Sequence, residues 1–198
     1  MKTDYKIQFD SNHKLKHFLN TELLTQKNIK EILDLADDYS KSEQTKFKDL
    51  EGKTIASLFF EPSTRTKTTF ELAAKRLSAD FINIDIANSS TLKGESIIDM
   101  IKTLEAMQCD MFIVRHSASG TPHYIAKEVG NKIAVINAGD GIHAHPTQAM
   151  LDMYTIRKYK GDFKNLNISI VGDILHSRVA KSLISSLNIL SANNINII

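Results

Sequence analysis

The sequence predicts an α/β fold: a three-layer domain with a mostly parallel sheet flanked by helices, followed by the first βαβ part of a second α/β domain. Three observations lead there. Short apolar runs such as "KTIASLFFE" (53–61) are hydrophobic in both alternating sets, as in a strand covered on both faces. Segments with apolar residues at helical spacing lie between such runs. The two patterns alternate along the chain, and strands joined through crossover helices form parallel sheets.

Taken in order, "TELLTQKNIKEILDLADDYSK" (21–41) places Leu24, Ile29, Ile32, Leu33 and Leu35 at helical spacing, with Thr25 as a cap for a helix starting near Lys27. The strand at 53–61 is followed by a helix from about Ser63 to Leu77. "DFINIDI" (80–86) reads as a strand, "NSSTLKGES" (88–96) as a loop, and "SIIDMIKTLEAM" (96–107) as a helix with its stripe on Ile97, Ile98, Ile101 and Leu104. "DMFIVRH" (110–116) is the next strand, and "GTPHYIAKEV" (120–129) a helix with Pro122 in its first turn. "KIAVINAG" (132–139) is a further strand, and a long helix runs from Pro146 to about Lys158. After the break "YKGDFKNLN" (159–167), "ISIVGD" (168–173), a helix over about 177–191 and "NINII" (194–198) form the opening βαβ of a second domain. The expected division is 1–154 and 155–198.

Composition narrows the function. The chain has 198 residues, 42% hydrophobic and 24% charged, as in an ordinary globular protein. Its 25 basic and 23 acidic residues give a net charge of +2, which supports neither a nucleic-acid nor a membrane surface. The single cysteine, Cys109, excludes an intrachain disulfide framework and suits a reducing compartment as a small buried hydrophobe. The N-terminus is too polar for a signal peptide and no apolar run approaches the roughly 20 residues of a membrane span, so a cytoplasmic protein is expected.

In parallel α/β sheets, ligands bind outside the carboxyl ends of the strands. Four polar turns lie at such exits: Glu61–Thr66, Ser89–Ser96, Arg115–Ser119 and Asn137–Gln148. In the first, Pro62 fixes the backbone before a helix, and Ser63 or Thr64 takes the N-cap. The free N–H groups of that first turn, the helix dipole, the Arg65 fork and the Thr66 hydroxyl together suit an anion. Plain capping with a solvated arginine is the competing reading. There is no GxxxxGK[ST] phosphate loop and no GxGxxG dinucleotide fingerprint. Arg115 emerges directly from "MFIV", so its charge reaches solvent, pairs with an acid or faces a ligand. His143 and His145 bring no third ligand of good spacing, so no metal is expected. A neutral His145 and the Gln148 amide at a helix entrance suit a carbonyl oxygen better. Lys93 is open between a surface charge and a site residue. No strong nucleophile–base pair appears, which leaves catalysis by positioning and electrostatics.

Five ordered motifs carry a resemblance: "FFEPSTRTKTTFE", "LKGESIIDMIKTLE", "VRH", "NAGDGIHAHPTQAMLDMYTI" and "VGDILHSRVAKSL". Spanning about residues 53–183, they resemble the carbamoyltransferases, with "LKGES", "VRH" and "NAGDG" in the form of the aspartate branch. The resemblance implies transfer of the carbamoyl group of carbamoyl phosphate to the amine of L-aspartate, with no cofactor. Ornithine or another amine as acceptor, and a non-catalytic phosphometabolite-binding module, are the alternatives.

By motif position, the resemblance makes Ser63, Thr64, Arg65 and Thr66 the carbamoyl phosphate cradle. Arg115 and His145 hold its carbonyl and phosphate oxygens, with Gln148 near the carbamoyl group. Ser89 and Lys93 lie on a loop reaching a neighbouring subunit's site, which implies a homotrimer with shared active sites and leaves room for regulatory chains. Arg178 binds an aspartate carboxylate, with Lys93 also on the aspartate side. The family's second domain is longer than the stretch after residue 154, so residues 1–198 alone are expected to bind carbamoyl phosphate weakly without turnover.

Overall fold

The structure is a computed structural model that describes residues 5–84, 86 and 96–198. Six α-helices and six strands alternate: α1 (Gln26–Lys41), β1 (Thr54–Phe59), α2 (Thr64–Arg76), β2 (Asp80–Ile84), α3 (Ile97–Ala106), β3 (Met111–His116), α4 (Thr121–Val129), β4 (Ala134–Asp140), α5 (Pro146–Lys160), β5 (Asn167–Ile170), α6 (Arg178–Ile189) and β6 (Asn194–Ile197). A 3₁₀ turn, Tyr5–Gln8, precedes them. Every expected helix and strand is present among the described residues, whereas the loop expected at 88–96 lies outside them up to residue 95. The described part of the strand expected at 80–86 is Asp80–Ile84, and that expected at 168–173 covers Asn167–Ile170.

The helix ends have local causes. Thr25 caps α1 through a capping box in which its hydroxyl accepts from Asn28 N (3.1 Å) and Asn28 Oδ1 accepts from Thr25 N (2.9 Å). Ser96 and Asp99 do the same for α3. α3 ends in a turn where Gln108 adopts φ 62° and Cys109 N bonds back to Leu104 O (3.2 Å). That turn drives Cys109 into the core, where it is 5% exposed and burial pushes its thiol pKa up. It is the inert small hydrophobe that its apolar neighbours indicated.

β1 to β4 form one parallel sheet in the order β2-β1-β3-β4, and β5 and β6 pair in parallel as a second, two-stranded sheet. β1 is buried along Ile55–Leu58, as two apolar alternating sets require. Ala56, Leu58, Phe112 and Val114 face a core built with Met100, Ile101 and Leu104 of α3 and Ile125 and Ala126 of α4. On the opposite face Ile55 and Ile113 pack with Ala74 of α2. Right-handed crossovers explain this division: α2 carries the chain one way across the sheet, while α3 and α4 carry it back. Replacing fully buried Phe112 with alanine is expected to cost about 3–5 kcal/mol.

The expected division at 154/155 falls inside α5. That helix shares an apolar cluster with α1, α6 and the two-stranded sheet through Leu33, Met153, Leu187, Ile168 and Ile195. No helix of the described residues is long and apolar enough to cross a membrane.

Candidate active site

The strand order creates a switch point. From β1 the chain moves outward to β2, then returns to place β3 on the other side of β1. The loops leaving β1 and β3 therefore part, and open a crevice at their carboxyl ends. Ser63 through Thr66 leave β1 there, and Arg115 lies near the end of β3, in register with Phe59. Phe60 N donates to Arg115 O (2.9 Å), which ties the two exits together.

Ser63 occupies the N-cap of α2, but its side chain makes no capping hydrogen bond. Plain capping is therefore not the hydroxyl's role, and the first-turn N–H groups keep their open end. Thr64 and Arg65 are exposed, Ser63 and Thr66 half-buried, so the turn faces outward from the sheet edge.

Arg115 is largely buried. Its Nη1 donates to Ala138 O (3.3 Å), and its Nε stands 3.1 Å from Glu61 Oε2 as an ion pair. That contact lacks hydrogen-bond geometry, so the buried Nε–H has no hydrogen-bond partner among the described residues. Burial and the neighbouring Arg178 push the Arg115 pKa down, while Glu61 opposes them. An arginine in this state is charged, desolvated and short of one acceptor.

Arg178, in the first turn of α6, reaches the same carboxylate. Its Nη2 is 3.4 Å from Glu61 Oε2 and its Nη1 donates to Gly141 O (3.1 Å). Glu61 thus bridges residues from β3 and α6. It belongs to the turn recognised in the sequence, but that reading gave it no role; an acid between two exit arginines becomes visible only when the exits meet.

His145 is the N-cap residue of α5 and 8% exposed. Burial first, then Arg178 and Arg115, lower its pKa to about 4, so the imidazole is neutral at pH 7. Its backbone N–H donates to Ser182 Oγ (2.9 Å), an α6 contact that the sequence did not reveal. The structure therefore brings Arg115, His145 and Arg178 together, with Glu61 between the arginines. Gln148 is turned along α5, its Nε2 donating to Asp152 Oδ1 (2.9 Å). Arg65 makes no ion pair among the described residues. Ser89 and Lys93 lie outside the described residues.

Asp140 anchors the turn before His145. It is fully buried and accepts from Gly120 N (2.7 Å), Asn137 Nδ2 (2.8 Å), Ala144 N (3.1 Å) and His143 Nδ1 (3.0 Å). Burial pushes its pKa up, but the bonds from His143, Gly120 and Asn137 outweigh that and hold it below the usual carboxylate value. The sequence reading found no third metal ligand near His143 and His145. The structure instead places His123 beside Asp140 and His143.

Residues 16–158, well over half of the chain, match the family described as aspartate/ornithine carbamoyltransferase, carbamoyl-P binding domain. The chain belongs to the aspartate/ornithine carbamoyltransferase family. Among solved structures, the catalytic subunit of M. jannaschii aspartate transcarbamoylase is similar at 35% identity and a TM-score of 0.80, covering 92% of this chain and 59% of that one. Aspartate transcarbamoylase from Trypanosoma cruzi with aspartate and phosphate gives 29% identity and a TM-score of 0.81, covering 92% of this chain and 58% of that one. The T. cruzi enzyme with N-(phosphonacetyl)-L-aspartic acid gives 30% and 0.82, covering 96% and 57%. The chain thus spans somewhat more than half the length of these neighbours.

Proposed function

We propose that this carbamoyltransferase chain provides the carbamoyl phosphate side of an aspartate carbamoyltransferase, a cytoplasmic enzyme that makes N-carbamoyl-L-aspartate and phosphate for pyrimidine biosynthesis. The observation that carries the reading is the buried, acceptor-poor Arg115 beside neutral His145 at the mouth of the open α2 turn. A dianionic phosphate fits the turn of Ser63, Thr64, Arg65 and Thr66, and a carbonyl oxygen fits between Arg115 and His145. Gln148 serves the carbamoyl group after turning from Asp152.

The α-amine of aspartate attacks the carbamoyl carbon, negative charge grows on the carbonyl oxygen, and the C–O bond to phosphate breaks. The departing phosphate takes the amine proton, so no protein base is needed. The neutral His145 imidazole carries one N–H and donates it to that oxygen. Arg65, Arg115 and Lys93 oppose the growing charge, each worth a few kcal/mol in the transition state. Arg178 receives an aspartate carboxylate once it leaves Glu61. Ser89 and Lys93 come from a neighbouring subunit of a homotrimer, and residues from 155 onward begin the aspartate domain.

A colorimetric ureido-product assay of the intact protein, with carbamoyl phosphate and a panel of amines, tests the reading. Product with aspartate alone supports it, and product with ornithine sinks it. Phosphate-competitive binding without any product points instead to a binding module. The R65A variant is expected to lose detectable turnover. Mixed trimers of R65A and K93A subunits are expected to regain some activity, because one composite site escapes both substitutions.

A further inference from the structure

We propose that His123, Asp140 and His143 form a binding site for a divalent transition-metal ion of the imidazole-binding class, with Zn²⁺ as the representative. The three side chains come from three places in the fold: the first turns of α4, the end of β4, and the turn before α5. One ligand atom from each lies within 4.8 Å of the others. His143 Nδ1 and Asp140 Oδ2 are 3.0 Å apart, close to the ~3.3 Å edge of a tetrahedral site with bonds of about 2.0 Å. The His123 and His143 rings meet at 63° with centroids 5.5 Å apart, so they approach from different directions rather than stacking.

The surroundings already orient these ligands. Gly120 N, Asn137 Nδ2 and Ala144 N fix the Asp140 carboxylate, and Asn20 Nδ2 lies 3.3 Å from His123 Nε2. Outer contacts of this kind set ligand orientation at metal sites; Asn20, whose Oδ1 accepts from Gln8 Nε2 and Glu22 N, donates to His123 Nε2, so this one contact gives way when His123 binds an ion through Nδ1. Two imidazoles and one carboxylate select zinc-like ions over magnesium or calcium, which prefer all-oxygen shells. Three protein ligands also leave a fourth position open. On binding, the metal takes the Nδ1 lone pair of His143, and the proton that bridged to Asp140 moves to Nε2. The ion then clasps α4 to the turn that delivers His145.

The test does not depend on the proposed reaction. Zn²⁺ is titrated calorimetrically into the protein in a non-coordinating buffer, in a His176→Asn background that removes the exposed His176–Asp173 pair (2.8 Å) as a competitor. One saturable site is expected, weakened at least about tenfold by His123→Gln and by His143→Gln. Absence of saturable binding, or unchanged affinity in either variant, overturns the proposal. If the variants fail to fold, ¹⁵N spectra of the wild-type imidazoles decide. Zinc-dependent shifts at His123 and His143 support the site, and shifts confined to other histidines overturn it.

Discussion

The guanidinium of Arg178 lies against the backbone of Gly139, where an added Cβ would stand 3.0 Å from Cζ and 3.1 Å from Nε. Gly139 also has φ +114°, a conformation that L residues rarely adopt. Gly139→Ala is therefore expected to strain β4 and push Arg178 off Glu61 together. We expect a loss of about 1–3 kcal/mol in urea unfolding. Wild-type stability would mean that the backbone relaxes and Arg178 needs no glycine beneath it.

Glu61 competes with any incoming anion for Arg115 and Arg178. Glu61→Gln removes the negative charge at nearly constant shape, leaving two close guanidinium groups to repel each other. The variant is expected to bind inorganic phosphate several-fold more tightly while unfolding at lower urea. Isothermal titration measures the first effect. Weaker phosphate binding would show that Glu61 acts chiefly to position the arginines.

Ser182 joins α6 to the anion site by accepting the His145 N–H while 4% exposed. Ser182→Ala strands that donor and is expected to cost about 1–3 kcal/mol. Ser186→Ala is the internal control, because its hydroxyl only bonds back to Ser182 O within the helix (2.9 Å). Equal losses for the two would remove the special standing of Ser182.

Three histidines make the fold sensitive to acid. Burial first, aided by Lys16 at His17, by His143 at His123 and by Arg178 and Arg115 at His145, lowers each pKa from 6.5 to about 4. Between about pH 6.5 and 4 the unfolded chain binds protons there that the folded chain does not, so stability falls as pH falls through that window. His143 works in the opposite sense. Its pKa is raised by the bond to Asp140, so its contribution is present at low pH and fades as pH rises past that raised value. His116, whose pKa burial also lowers, adds to the first group; four against one, the urea midpoint should drop between pH 7 and pH 4.5. A flat profile would refute neutral burial of these rings.

The local layer was legible in the chain. Two-sided apolar runs gave the strands, and the end of each run marked an exit at which Arg115 and the Ser63–Thr66 turn stood out. Strand burial and helix capping act over a few residues, so short windows carry them. Thr25 with Asn28 and Ser96 with Asp99 cap their helices entirely within four residues. Arg178 was reached only through a motif, because nothing within its own window distinguishes it from a surface arginine at a helix start.

What the tertiary structure decided is which exits meet. The alternation of strand and helix did not say that β3 lies beside β1, and only the order β2-β1-β3-β4 brings residues 61, 115 and 178 to one carboxylate. Asp140 and Ser182 went unnoticed for the same reason: their partners lie 20 and 37 residues away at Gly120 and His145. His123 escaped a search for metal ligands by spacing because it reaches His143 across space from another helix. Sequence alone therefore determined the elements and the polar groups at their ends. Packing of α6 and α4 against the β4–α5 turn determined which of those groups share a charge, a proton or a ligand, because such energies depend on distance in space and not along the chain.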